Sequence, residues 1–150
     1  MSGKRLIIGF ALGLVLFTGA LWYFQTYAFY RDLPEQPLII GEKTYPLSDW
    51  QGIEATSSPL KLRACFTLSD ETVATIAEQH SAGDGAEPLI APSWFECFDA
   101  EMIGRALEAG KATAYALPDP GADGIIAWLA IFPDGRAYKW HQLHPRFANQ

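Results

Sequence analysis

From residue 6 to residue 30 the chain carries no charged side chain, an uninterrupted run of 25 residues. A helix rises ~1.5 Å per residue and the hydrocarbon core of a bilayer is about 30 Å thick, so roughly 20 such residues suffice to cross it. Trp22, Tyr23, Tyr27 and Tyr30 gather at the far end of the run, where amphipathic rings favour the headgroup zone. Lys4 and Arg5 precede it, whereas Arg31 is offset by Asp32. The basic excess at the front holds the N-terminus in the cytoplasm and sends the rest outward. The run therefore predicts a cytoplasmic tip and single-pass inner-membrane anchor over residues 1–32, spanning about 6–30, and a periplasmic domain over 33–150. A cleaved signal peptide is the rival: Thr18-Gly19-Ala20 offers small residues before Leu21. The apolar character continues ten residues past Ala20 into the aromatic belt, which favours an uncleaved anchor. Gly9 and Gly13 form a GxxxG step, a candidate helix-packing face, although small residues are common in membrane helices without such a role.

Beyond residue 32, eight basic residues stand against sixteen acidic ones, a net charge of −8. So acidic a domain repels phosphate backbones and anionic headgroups, which argues against nucleic acid as a partner. It holds two cysteines, Cys65 and Cys97. In an oxidising compartment an even pair predicts a disulfide. Closing a loop of about 31 residues would stabilise the fold by ~3–4 kcal/mol. Two buried unpaired thiols, or a redox or metal pair without a CxxC motif, are the other readings.

Residues 37–47 suggest two short strands around Gly41-Glu42-Lys43. Residues 48–59 are rich in turn formers and read as loop, and LKLRACFTL (60–68) alternates like a strand. Ser69-Asp70 resembles a helix start, with Val73, Ile76, Ala77 and His80 on one face. A flexible loop over 81–88 and an irregular aromatic segment follow. Asp99 is placed to cap a helix with Ile103, Ala106 and Leu107 inward and Gly110 as its stop. The period then changes to two: residues 111–118, 124–132 and 136–143 read as strands, with DPGAD in the first connection and Pro133-Asp134-Gly135 in the second. The C-terminal RFANQ is expected to fray. The sum is an α+β domain: a small antiparallel sheet with about two packed helices, behind one transmembrane helix.

No residue pattern supplies clear catalytic chemistry. His141 and His144, three apart on a predicted strand, point to opposite faces, and no further zinc ligands stand nearby in sequence. Ser57, Ser58 and Ser93 lack a nucleophile-elbow setting. Glu96, Asp99 and Glu101 suit a helix start without catalytic duty. No catalytic, cofactor or metal residues are assigned, and no cofactor is expected. Trp94, Phe95, Phe98, Trp140 and His141 are grouped as a candidate interaction patch, because exposed aromatics anchor partners; core packing is the default reading for such aromatics.

Certain stretches also carry a resemblance. Arg63-Ala64-Cys65-Phe66, the run from Trp94 to Ala100, Ala106-Leu107-Glu108-Ala109-Gly110, and Phe132-Pro133-Asp134-Gly135-Arg136 with Trp140-His141-Gln142 together resemble an uncharacterised alphaproteobacterial family of single-pass membrane proteins. Its domain has no known function. Some members bear the label histidine kinase, yet residues 33–150 leave no room for an ATP-binding domain. The likeness implies no site residues here. The leading expectation is a membrane-anchored periplasmic accessory or assembly protein that works through protein contacts. A periplasmic small-ligand or sensor module, with a pocket near Trp94 and Trp140, is the alternative. A thiol- or metal-dependent enzyme using Cys65, Cys97, His141 and His144 comes third.

Overall fold

The computed structural model describes residues 2–118, 121 and 123–148. Asp119, Pro120 and Ala122 of the DPGAD connection, and Asn149 and Gln150 of RFANQ, lie outside the described residues. The chain divides into two units, Met1–Tyr30 and Arg31–Gln150.

The first unit is built on one helix, α1 (Gly3–Thr26), 24 residues long and apolar enough to cross a membrane. At ~1.5 Å per residue it extends about 36 Å. None of its side chains is buried by protein. Trp22 and Tyr23 each meet Tyr27 through their rings.

In chain order the other elements are β1 (Tyr30–Asp32), β2 (Leu38–Ile40), β3 (Lys43–Tyr45), β4 (Ser48–Ala55), β5 (Ser58–Thr67), α2 (Asp70–Gln79), α3 (Ala100–Glu108), β6 (Thr113–Ala116), β7 (Ile125–Ile131), β8 (Arg136–Leu143) and the single turn α4 (Pro145–Ala148). Six strands form an antiparallel sheet in the order β1-β4-β5-β8-β7-β6, and β2 and β3 form a separate hairpin. The architecture is α+β, as the alternating and helical periods predict.

Both longer helices of this unit start where the capping residues stand. The Ser69 hydroxyl accepts from the Thr72 N–H at 3.2 Å, and the Asp99 carboxylate accepts from the Met102 N–H at 3.0 Å. Each satisfies a backbone donor that the first helical turn leaves unpaired. Gly110, at φ +68°, follows the end of α3. The β7–β8 turn depends on Gly135 at φ +91°. Its carbonyl accepts from the Leu68 N–H at 2.8 Å, and a Cβ there would run into the Leu68 carbonyl. This turn thereby ties the β7–β8 hairpin to the end of β5.

Residues 48–59 correct the expectation of a loop. They form β4 and the turn into β5, with Gln51 opposite Cys65 and Gly52 opposite Ala64. The ladder is irregular between Ser48 and Gln51 and between Ile53 and Ala55, and Asp49 sits at φ +54°. Such irregularities accommodate turn-forming residues inside a strand. Pairing with β5 overrides local preference here, because strand propensity depends on context.

Alternation along β8 gives the sheet two distinct faces. Ala137, Lys139 and His141 share one; Tyr138, Trp140 and Gln142 share the other. The β2–β3 hairpin and α2 cover the first, where Leu38, Ile40, Tyr45 and Ile76 pack with Phe66, Leu129, Ile131 and Ala137. Segment 83–98, which leads into α3, lies on the second. Gln142 holds the backbone of Gly85 and Glu87 there, at 2.8 Å each.

Candidate functional site

The predicted aromatic patch is not a surface. Phe95, Phe98 and Trp140 are buried, Trp140 completely (0% exposed), and Trp94 is half-buried with its ring edge-on to Phe95. Phe98 meets Tyr138 and Trp140 edge-to-face at 6.0 and 6.3 Å. His141 is buried too, but on the opposite face of the sheet. The physical reason is the two-residue period: neighbours on one strand cannot share a face. Phe95 and Phe98 of segment 83–98 are thus core, with Phe98 set against Tyr138 and Trp140 of β8.

Cys65 and Cys97 are joined, with their Cα atoms 6.3 Å apart, and no described cysteine is free. The bond pins the start of α3 to β5. Arg63, two residues earlier and therefore on the same face, is 4% exposed and does related work. It donates to the carbonyls of Leu60 and Leu62 at 2.7 and 2.6 Å, and to those of Leu89 and Ile90 at 2.9 and 3.2 Å. Its guanidinium also lies 5.7 Å from the Phe98 ring centre. A buried cation with many carbonyl partners holds an irregular segment in place. Gly9 and Gly13 have no atom within 4 Å of the space a Cβ would take. His144 accepts from the Arg146 N–H, so the two histidines do different local work. Among the described residues, no three His, Cys, Asp or Glu side chains stand close enough to hold a metal ion.

On the face opposite the aromatic core lies a groove of about 330 Å³. Its floor is Ala127, Lys139 and His141, and its walls are Gln36 to Ile39 on one side and Leu117 and Pro118 on the other. Sequence explains why it is open. His141 stands opposite Ala127 on β7 and Lys139 lies between Ala64 on β5 and Leu129 on β7, so the small Ala127 and Ala64 leave room on that part of the floor. The first wall is held in place because the Leu33 N–H donates to the Gly52 carbonyl and Trp50 Nε1 donates to the Leu33 carbonyl. The second is held by Leu117 N–H on the Ala127 carbonyl.

Lys139 is half-buried, and burial pulls its ammonium below the ordinary lysine range. Its Nζ donates to Gln36 Oε1 at 3.4 Å, and among the described residues no carboxylate lies within ion-pair distance. Burial likewise pulls His141 below the ordinary histidine range, with Lys139 and Arg63 acting in the same direction and Glu54 and the Pro59 carbonyl against it. The imidazole's Nδ1 lies 2.9 Å from the Pro59 carbonyl. A carbonyl only accepts, so Nδ1 carries the proton and the neutral ring keeps its acceptor at Nε2. The groove thus presents one cation, one amide and one neutral imidazole among apolar walls. Of these, only His141 is among the residues singled out from sequence. The alternation of RAYKWHQL contained the missing signal, since it places Lys139 beside His141 and away from Trp140.

Two other cavities are less organised. One, of about 480 Å³ beside α3, is lined in part by exposed charges, of which Arg105 pairs with Glu101 and Arg136 with the neighbouring Asp134. The other, of about 510 Å³, lies between residues 82–86 and the stretch from Leu107 to Ala114.

Fold and groove together define a small α+β domain with a polar-floored cleft, in a chain that begins with a helix of membrane-spanning length. The chain belongs to a family of unknown function (DUF6446), which matches residues 40–149. That match begins at the end of β2 and takes in every later element, leaving α1 and β1 outside it. Neither a curated protein nor a solved structure matches the chain.

Proposed function

We propose that the chain is a membrane-anchored binding module whose periplasmic domain takes a small ligand in the groove over Lys139. The unpaired ammonium in a largely apolar cleft carries this reading. Convergent polar groups in a concave apolar site are what small-molecule recognition requires, and a half-buried ammonium with one long hydrogen bond and no carboxylate beside it is favoured by an anionic group of a ligand. An accessory role through an exposed aromatic patch is the less favoured reading, since Phe95, Phe98 and Trp140 are buried. Basic Lys4 and Arg5 ahead of the apolar helix favour an N-terminus in the cytoplasm and an inner-membrane anchor. A disulfide belongs to an oxidising compartment, which agrees with a periplasmic domain.

Thermal unfolding of the full chain in nanodiscs, against a panel of small polar and amphiphilic metabolites, tests the reading. A ligand that binds only the folded state raises the melting temperature. The expected outcome is at least one compound that stabilises the wild type and has a weaker effect on Lys139→Gln. Stabilisation by compounds that act equally on Lys139→Gln, or none at all, contradicts the groove as the site.

A further inference from the structure

We infer that the groove takes a small monocarboxylate with an aliphatic tail, an assignment that rests on the groove being the ligand site. Lys139 provides three ammonium donors, one of which is directed to Gln36 Oε1. Because that oxygen accepts, the Gln36 amide nitrogen stays available, so an ammonium and an amide donor stand side by side. Charge-assisted hydrogen bonds of this kind suit a carboxylate. His141 contributes no second cation, since its protonated nitrogen is on the Pro59 carbonyl and its other nitrogen is an acceptor. One anionic group is therefore matched and a second would meet a lone pair.

The rest of the lining decides the remainder of the ligand. Pro37, Leu38, Ile39, Leu117, Pro118 and Ala127 offer hydrocarbon and no side-chain donors. At about 330 Å³ the space sits at the small end of the ~300–1,000 Å³ range of small-molecule sites. A phosphate ester fits less well, because neither a guanidinium fork nor a helix N-terminus lines the groove. The −8 charge of residues 33–150 also disfavours a charged lipid surface as the source of the anion.

The test is protection of Lys139 from acetylation in the full chain, held in zwitterionic nanodiscs and analysed by mass spectrometry, with exposed Lys111 as internal reference. Hexanoate, hexanol, hexylamine, acetate and hexyl phosphate are compared at equal concentration. Hexanoate at twice its dissociation constant is expected to slow Lys139 acetylation about threefold, leaving Lys111 unchanged, while the other four have little effect. Equal protection by acetate overturns the aliphatic tail and indicates a nonspecific anion effect. Protection by hexanol, hexylamine or hexyl phosphate instead of hexanoate overturns the carboxylate but leaves the groove as a ligand site. No protection by any of the five overturns the monocarboxylate; the groove itself falls only if the unfolding comparison with Lys139→Gln also shows no difference.

Discussion

His141 shows how a single side chain ties the groove to the stability of the domain. Its folded-state pKa lies below the ordinary value of about 6.5, chiefly through burial. Above about pH 6.5 the ring is neutral in both folded and unfolded chains and has no effect on stability. As pH falls through that value the unfolded chain takes up a proton before the folded chain does, so the unfolded state gains and stability declines until the folded pKa is passed. Denaturant unfolding at pH 7.5 and 5.5 should therefore show a larger loss for the wild type than for His141→Gln. Parallel losses in the two proteins would refute this. At this scale the pairing of Cys65 with Cys97 was legible, because the sequence holds these two cysteines and no other. The same was not true of Lys139, whose meaning depends on which walls stand over it: residues 36–39 and 117–118 are about 100 and 20 positions away, and no local pattern brings them together.

Elements were legible wherever chemistry marks them locally. The helix caps Ser69 and Asp99, the Asp134-Gly135 turn and the period-two stretches all correspond to observed elements. The β4 strand was hidden because Ser48, Asp49 and Gly52 favour turns and only the ladder to β5 makes them a strand. Gly135 is the element-level position with the sharpest consequence. Substituting alanine brings a strained positive φ and a collision with the Leu68 carbonyl. Gly135→Ala should lower stability by roughly 2–4 kcal/mol, or about 10 °C in melting temperature for a domain of this size. Thermal unfolding within about 2 °C of the wild type would show that the turn relaxes freely.

For the whole molecule, the apolar run of residues 6–30 is the strongest single signal in the sequence, because it forms a helix long and apolar enough to cross a membrane. By internal contacts the chain divides into Met1–Tyr30 and Arg31–Gln150, and the family match concerns the second part. Function was much less legible. Sequence left the aromatic residues open between core, the default, and an exposed patch; Phe95, Phe98 and Trp140 are core, and Trp94 is half-buried. Everything proposed for the groove supposes that Arg31–Gln150 stands in an oxidising compartment. The direct measurement is to quench cells that express the chain in acid, denature it, and count maleimide-reactive thiols by mass before and after reduction. An exported domain predicts no label before reduction and two afterwards, on Cys65 and Cys97. Two labels without reduction would contradict it.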